Sequence, residues 1–315
     1  MDYIFILVGF AVLILGAHYL VDGASGLAKR FKISDLVIGL TVVAFGTSAP
    51  ELVVNIVASL NPTTTDIALT NIIGSNMINM YVILGFAAVV YPISTQRTSR
   101  KFDMPMSLLA ALMVLILVVS MDNTLTRLGG FILLAFFVWF LASTIRRSLK
   151  HPDVQHIEHF KPVRIWVAAL MIVGGLAALI GGAQLIVPSA TRIAESWGVS
   201  QSLIGLTIVA LGTSLPELAT SAVAAFKKNS DIALGNVLGS NIFNIFFILA
   251  ASAIIRPLPA YNNIIPDLIM VIFGSALLML FVYSNKKHTF KRWGGATFLV
   301  IYALYLFWII YTGRI

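Results

Sequence analysis

Cysteine is absent from the 315 residues, which excludes disulfide frameworks, thiolate metal sites and thiol nucleophiles. Charge is scarce as well. Asp, Glu, Lys and Arg make up 11% of the chain, less than half of the roughly 25% usual in a soluble domain. Acidic groups are the rarer sign, 13 against 21 basic ones. No glycine-rich nucleotide loop, nucleophile–base triad or redox motif occurs, so nothing in the sequence points to an enzyme or to a bound cofactor. What fills the chain is apolar sequence, 59% of residues. Long apolar runs recur over 2–21, 36–50, 67–96 and 104–121, and a membrane span needs about 20 such residues. A soluble helical protein with a large apolar core is the competing reading, and windows this long and apolar speak against it. The chain opens Met-Asp and enters a long apolar run without the basic segment and cleavage site of a signal peptide.

Breaks in the apolar pattern predict ten helices, at about 2–28, 34–60, 66–92, 103–121, 126–147, 163–194, 200–226, 231–254, 263–284 and 290–312, with ends uncertain by roughly 2–4 residues. The basic residues then sort by side. Lys29, Arg30, Lys32, Arg97, Arg100, Lys101, Arg146, Arg147, Lys150, Lys161, Arg164, Lys227, Lys228, Lys286, Lys287, Lys291 and Arg292 fall on one face, and Arg127, Arg192, Arg256 and Arg314 on the other. Cytoplasmic loops carry the excess of Lys and Arg, so the larger set is predicted cytoplasmic and both termini extracytoplasmic, in a plasma or inner membrane. The net charge of +8 is thereby spent on orientation in a lipid bilayer and does not call for nucleic acid. The aromatic cluster Tyr302, Tyr305, Phe307, Trp308 and Tyr311 reads as interfacial anchoring. The segment 151–159, with His151, His156, Glu158 and His159, reads as a solvated connector rather than a metal site.

The two halves of the sequence repeat each other. Residues 33–52 match 199–218 at an offset of 166, through Ile-Gly-Leu-Thr and Gly-Thr-Ser-Xaa-Pro-Glu, and Asp66–Asn79 matches Asp231–Asn244 at an offset of 165. Five spans per half is an odd number, so the second half enters the membrane from the opposite side. The expected organisation is a first five-helix repeat at 1–148, a cytoplasmic linker at 149–162 and an inverted repeat at 163–315. Secondary transporters use this plan, with broken helices around a midplane site.

The matched segments are the polar ones. Glu51 and Glu217 are the acidic residues that fall deep inside predicted spans. A carboxylate at that depth costs about 3 kcal/mol on insertion scales, and no Lys or Arg lies at matching depth, so a mobile cation is the simplest partner. Pro50 and Pro216 lack an N–H and clash with the preceding turn, which predicts breaks in helices 2 and 7 and frees carbonyls around Gly46 and Gly212, from Ala44 and Ala210 onward. Hard cations take oxygen ligands, about 6–8 for Ca²⁺. Thr47, Ser48 and Glu51 supply oxygens from one half, and Thr213, Ser214 and Glu217 from the other. Ser-Xaa-Xaa-Glu is also a capping box, so capping by Ser48 and Ser214 is expected to contribute. On helices 3 and 8, Asn71, Ser75 and Asn79, and Asn236, Ser240 and Asn244, form stripes at four-residue spacing. Ser75, Asn79, Ser240 and Asn244 read as ion ligands. Asn71 and Asn236, nearer the helix starts, read equally as ligands or as interhelical hydrogen-bonding residues. Two ionised glutamates give −2, which one Ca²⁺ neutralises and which two or three Na⁺ also fill, so the two ions compete.

The doubled Gly-Thr-Ser-Xaa-Pro-Glu and Gly-Ser-Asn-Xaa-Xaa-Asn segments resemble the alpha repeats of the calcium/cation antiporter superfamily, and most closely its prokaryotic sodium/calcium exchangers. The resemblance covers nearly the whole chain. It implies a central Ca²⁺ site at Glu51, Glu217, Thr47 and Thr213, and flanking Na⁺ sites at Ser48, Ser75, Ser214 and Ser240 with both glutamates and the carbonyls of Ala44 and Ala210. Asn79 and Asn244 would line the centre. It also implies electrogenic exchange of about three Na⁺ for one Ca²⁺ by alternating access, with helices 1 and 6 sliding against the rest, and function as a monomer. The sequence departs from the family pattern at Asn244, where some relatives carry an acid, at Asn55, where a small Ser is usual, and at Thr70, opposite Gly235. A proton-coupled antiporter of the same fold is the main alternative; the extra hydroxyls beside the glutamates favour Na⁺. A cation channel is a further one, against which the inverted repeat speaks.

Overall fold

The computed structural model describes residues 1–61, 65–150, 163–198, 210–261 and 264–312. Helix dominates it, as lipid requires, since backbone polar groups in hydrocarbon must be satisfied within the segment. α1 (Asp2–Phe31) outruns its predicted end by three residues and stops at Lys32, whose left-handed backbone (φ 56°) turns its N–H onto the carbonyls of Ala28 and Lys29. α2a (Asp35–Thr47) and α2b (Ala49–Leu60) meet at a bend of 48°. Ser34 caps α2a, its hydroxyl accepting from the Val37 N–H. α3 comprises Thr65–Met77, a π-helical turn at Ile78–Ile83 and Leu84–Val90. α4 begins with a π turn at Ser99–Asp103 and continues through Met104–Ser120. α5 is Arg127–Lys150 and α6 is Ile165–Ser196. α7 is described as α7a (Ala210–Thr213) and α7b (Leu215–Phe226). α8 runs through Ser230–Phe243, a π turn at Asn244–Leu249 and Ala250–Ile255. α9 (Ile264–Tyr283) and α10 (Arg292–Tyr311) complete the chain.

Among the described residues, eight helices are long and apolar enough to cross a membrane, and the bent α2 pair makes a ninth candidate. The start of the predicted seventh span, the linker 151–162 and Arg314 lie outside the described residues.

Where each helix sits follows from its polarity. The apolar windows of α3 and α8 are 78% buried, against 22% for α10. These two carry the Asn and Ser stripes, which lipid does not solvate, so they occupy the centre and the more uniformly apolar helices surround them. Two short antiparallel pairings tie the loops together. β1 (Ile93–Ser94) pairs with β4 (Thr289–Phe290), and β2 (Thr124–Leu125) with β3 (Leu258–Pro259). One joins the α3–α4 and α9–α10 loops, the other the α4–α5 and α8–α9 loops.

α1 and α6 lie antiparallel with their backbones in contact. A Cβ on Gly16 would stand 2.8 Å from the Gly175 carbonyl oxygen, and one on Gly175 would stand 2.7 Å from that of Gly16. Gly9 and Gly182 repeat the reciprocal contact one heptad away. Small residues at a helix interface permit this approach, and in lipid such packing is a main source of helix association. Asp2 pairs with Arg192 at the ends of the same two helices, and Asp22 of α1 pairs with Lys227 at 2.5 Å just beyond α7b.

Candidate ion-binding site

The bend in α2 falls at Ser48, where the backbone leaves helical geometry (φ −81°, ψ 8°), and Pro50 stands in the first turn of α2b. Ser214 (φ −90°, ψ 5°) occupies the same position before α7b, with Pro216 in its first turn. A first-turn proline loses nothing, because that N–H has no intrahelical acceptor. Glu51 and Glu217 follow in the same turns and are fully buried.

Each glutamate is gripped by both halves of the chain. Ser75 of α3 and Ser214 donate to Glu51 Oε1 at 3.2 and 3.4 Å. Ser48 and Ser240 of α8 donate to Glu217 Oε1 at 3.0 and 3.5 Å. The hydroxyls of Ser75 and Ser214 lie 3.1 Å apart. The expectation that Ser48 and Ser214 cap their helices is overturned: neither makes a side-chain cap bond. Both hydroxyls instead donate to the glutamate of the opposite half: a buried carboxylate is a strong acceptor, and Pro50 and Pro216 remove one of the N–H groups that a cap would serve.

The second oxygen of each carboxylate, Oε2, has no hydrogen-bond partner, and neither do Asn79 Oδ1 and Asn244 Oδ1. Four buried oxygens lacking donors are costly in a low-dielectric interior. A hard cation satisfies such a set, since it takes carboxylate and amide oxygens alike. Thr47 is fully buried and Thr213 half-buried. The Thr47 hydroxyl donates to Asn236 Oδ1 at 3.1 Å. The Ala44 carbonyl is not vacant as the sequence suggested. It accepts the Ser48 N–H at 3.0 Å and the Thr47 hydroxyl at 3.4 Å, because the helix keeps its ladder up to Ser48. Ala210 opens α7a.

Of the two readings open for Asn71 and Asn236, the helix-linking one holds. Asn236 Nδ2 donates to the Glu217 carbonyl at 3.2 Å and to Ser221 Oγ at 2.9 Å. Asn71 Nδ2 donates to Asn55 Oδ1 at 2.8 Å. Asn55, the departure from the family pattern, also donates to the Ala68 carbonyl at 3.0 Å and to Ser252 Oγ at 3.4 Å, binding α2b to α3 and α8. Sequence reasoning passed over Asn76 and Asn241, the third residues of the two Gly-Ser-Asn segments. They clasp the crossing of α3 and α8 reciprocally: Asn76 Nδ2 donates to the Asn241 carbonyl at 3.2 Å, and Asn241 Nδ2 to the Asn76 carbonyl at 3.4 Å. Their equivalence in the two motifs was the available signal. The π turns were not legible at all, and they begin at Ile78 and at Asn244, where one extra residue per turn resets the phase of each stripe.

The sequence profile described as "Sodium/calcium exchanger protein" matches residues 1–146 and 167–311. The chain belongs to this family. The putative antiporter CaxA of Alkalimonas amylolytica is 37% identical over 311 residues, covering 96% of each chain. The sodium/calcium exchanger MaX1 of Methanosarcina acetivorans is 31% identical over 349 residues, covering 98% of this chain and 99% of the relative. A solved structure of the sodium–calcium exchanger NCX_Mj superposes with a TM-score of 0.82 at 32% identity over 97% of each chain. The chain is therefore a multi-pass membrane protein of the sodium/calcium exchanger family within the calcium/cation antiporter superfamily, and its work is cation antiport. In a family of exchangers the paired buried glutamates acquire an evident setting, since both are reached from both halves of the chain and both retain an unpartnered oxygen.

Proposed function

We propose that this chain exchanges about three Na⁺ for one Ca²⁺ by alternating access at a midplane site. Two inverted five-helix repeats, 1–148 and 163–315 joined by a cytoplasmic linker at 149–162, build the site, and Pro50 and Pro216 cause the breaks in helices 2 and 7. The ten-helix reading is supported by the doubled pattern of bonds. The β1–β4 and β2–β3 pairings relate equivalent positions of the two halves at an offset of 165, and the Ser75–Glu51 and Ser240–Glu217 bonds do so at offsets of 165 for the serines and 166 for the glutamates. Glu51, Glu217, Thr47 and Thr213 hold Ca²⁺. Ser48, Ser75, Ser214 and Ser240, with both glutamates, the Ala210 carbonyl and the Ala44 carbonyl in place of its bond from the Thr47 hydroxyl, hold Na⁺, and Asn79 and Asn244 line the centre. One Ca²⁺ neutralises the two carboxylates, whereas three Na⁺ leave one positive charge in excess, so each cycle moves net charge. The basic loops face the cytoplasm of a plasma or inner membrane, both termini face out, and the monomer is the working unit.

The observation that carries this reading is the cross-bracing of the glutamates: Ser48 of one half on Glu217, Ser214 of the other on Glu51, with both Oε2 atoms left over. A site whose walls belong to both repeats opens to one side or the other as they move relative to each other. The test uses purified protein in proteoliposomes loaded with Na⁺ and diluted into Na⁺-free buffer containing radiolabelled Ca²⁺. Uptake is expected to require the outward Na⁺ gradient, to rise with an inside-positive potential, which favours the net outward movement of positive charge, and to vanish in the Glu51→Gln, Glu217→Gln double variant. Uptake indifferent to Na⁺ and driven by a pH gradient would replace Na⁺ with H⁺ as the coupling ion.

A further inference from the structure

Three sets of polar contacts around the site are made in both halves, Ser75–Glu51 with Ser240–Glu217, Ser48–Glu217 with Ser214–Glu51, and the two bonds of the Asn76–Asn241 clasp, but the asparagines beside the clasp differ. On one side, Asn244 Nδ2 donates to Asn76 Oδ1 at 3.0 Å and to Ser75 Oγ at 3.3 Å. The equivalent bond on the other side would run from Asn79 Nδ2 to Asn241 Oδ1. It is not made: both Asn79 side-chain atoms and Asn241 Oδ1 lack partners, although Asn79 is fully buried and Asn241 is 1% exposed.

A transported cation does not remove this deficit. It satisfies oxygens, and so takes up Glu51 Oε2, Glu217 Oε2, Asn79 Oδ1 and Asn244 Oδ1. The amide nitrogen of Asn79 is donor only, and a cation gives it nothing. After the ion has been allotted the site oxygens, one buried donor (Asn79 Nδ2) and one buried acceptor (Asn241 Oδ1) remain. They are complementary, and they are the pair that the internal symmetry matches to the bond already made between Asn244 and Asn76. A buried polar group lacking a partner persists when another state of the molecule satisfies it.

We infer that Asn76 and Asn241 are positioning residues of the ion site that act alternately. In the state seen here, Asn76 Oδ1 holds the Asn244 amide group, which turns Asn244 Oδ1 away from the clasp and fixes it as a ligand, while the Asn79 amide is free to rotate. In the oppositely open state, Asn241 Oδ1 takes Asn79 Nδ2, Asn79 Oδ1 is fixed, and Asn244 is released. The reciprocal clasp from Nδ2 of each residue to the other's backbone carbonyl stays closed in both states and serves as the pivot. Only the acceptor Oδ1 of each residue changes its occupancy. The inference rests on the inverted-repeat reading above, in which the two states exchange the conformations of the two halves; it does not depend on which ion is coupled.

The consequence is directional. Asn76→Ala removes the acceptor used in the present state, and Asn241→Ala removes the one used in its mirror. Both lose an equal share of the clasp, so the clasp cancels in the comparison. Asn244→Ala and Asn79→Ala delete the two donors and leave the clasp intact, which covers the case in which a clasp variant does not fold. The readout is amide hydrogen–deuterium exchange by mass spectrometry on the full chain in Na⁺- and Ca²⁺-free detergent solution. It is taken as the ratio of uptake in residues 35–47, the cytoplasmic half of helix 2, to that in 48–60, the opposite half.

Asn76→Ala and Asn244→Ala are expected to move this ratio one way, and Asn241→Ala and Asn79→Ala the other way. The expected size is about five- to tenfold in state populations, as one buried neutral hydrogen bond produces. Shifts of the same sign in the two pairs, or no shift in the folded members of either, would overturn the inference. Radiolabelled Ca²⁺ flux on the unsubstituted protein is measured in parallel. Loss of its Na⁺ dependence strikes the coupling assignment alone, whereas a wrong sign in the exchange ratios strikes the asparagine pair alone.

Discussion

Glu51 and Glu217 show how strongly a residue's meaning depends on its partners. Each sits in the first turn of a helix, where a carboxylate is ordinarily an N-terminal charge favoured by the helix dipole. Here each keeps one oxygen for two serine hydroxyls and one for nothing else in the protein. The site therefore carries two carboxylates and, at Asn244, an amide. Replacing that amide, Asn244→Asp, adds a third carboxyl to a buried cluster, and like charges at close range favour the protonated form of one of them. Ca²⁺ uptake by this variant is expected to fall more steeply on acidification than uptake by the parent. Initial rates of radiolabelled Ca²⁺ uptake at matched internal and external pH check this; superimposable profiles for the two proteins would show that Asn244 lies too far from the glutamates to couple. At this scale the sequence was legible for residue type and depth. It was not legible for pairing: the Ser-Xaa-Xaa-Glu spacing suggests a local cap, and only folding reveals that the Ser48 hydroxyl bonds to Glu217 and to no N–H of its own turn.

At the scale of elements, the seam between α1 and α6 is the clearest case of sequence spacing turned into geometry. Small residues every seven positions let two backbones touch, and the same stretch of α6 contains its own control. Gly175 faces the Gly16 carbonyl, with 2.7 Å available to a Cβ, whereas nothing lies within 4 Å of a Cβ on Gly174. Gly175→Val forces the helices apart and is expected to cost about 1–3 kcal/mol by overpacking, seen as a fall of several degrees in the thermal unfolding midpoint in detergent. Gly174→Ala, which relieves a helical glycine of its excess backbone entropy, is expected to leave that midpoint unchanged or slightly raised. Equal losses in both variants would refute the close-packed seam. The π turns at Ile78–Ile83 and Asn244–Leu249 belong to the same scale. A four-residue polar stripe is compatible with an unbroken α-helix, so periodicity alone carried no sign of the extra residue; it is tolerated because the packed surroundings of α3 and α8 compensate for it.

At the scale of the whole molecule, orientation follows from a count of basic residues and architecture from a comparison of two halves. The absence of cysteine makes the orientation directly testable, since any introduced thiol is the only one present. Asp122, between α4 and α5, and Lys287, between α9 and α10, are both exposed and are assigned to opposite faces. In intact cells, a membrane-impermeant maleimide is expected to label Asp122→Cys and to spare Lys287→Cys until the membrane is permeabilised. The reverse pattern would invert the topology. The two loop pairings point the same way, each joining loops assigned to a single face.

The sequence by itself determined the membrane class, the bounds of most helices, the internal repeat, the two buried glutamates and the family. These depend on local hydropathy, on charge counts and on matched strings, which a chain carries whether or not it is folded. The tertiary structure alone decided which hydroxyl meets which carboxylate, that Asn236 and Asn71 bind helices together, that Asn76 and Asn241 clasp α3 to α8, and that Asn79 lacks the bond its counterpart Asn244 makes. Those are relations between residues 15 to 189 positions apart. Hydrogen-bond partners are chosen by three-dimensional proximity and direction, and near-identical halves can differ in them, because symmetry in sequence does not oblige both halves to adopt the same conformation at once.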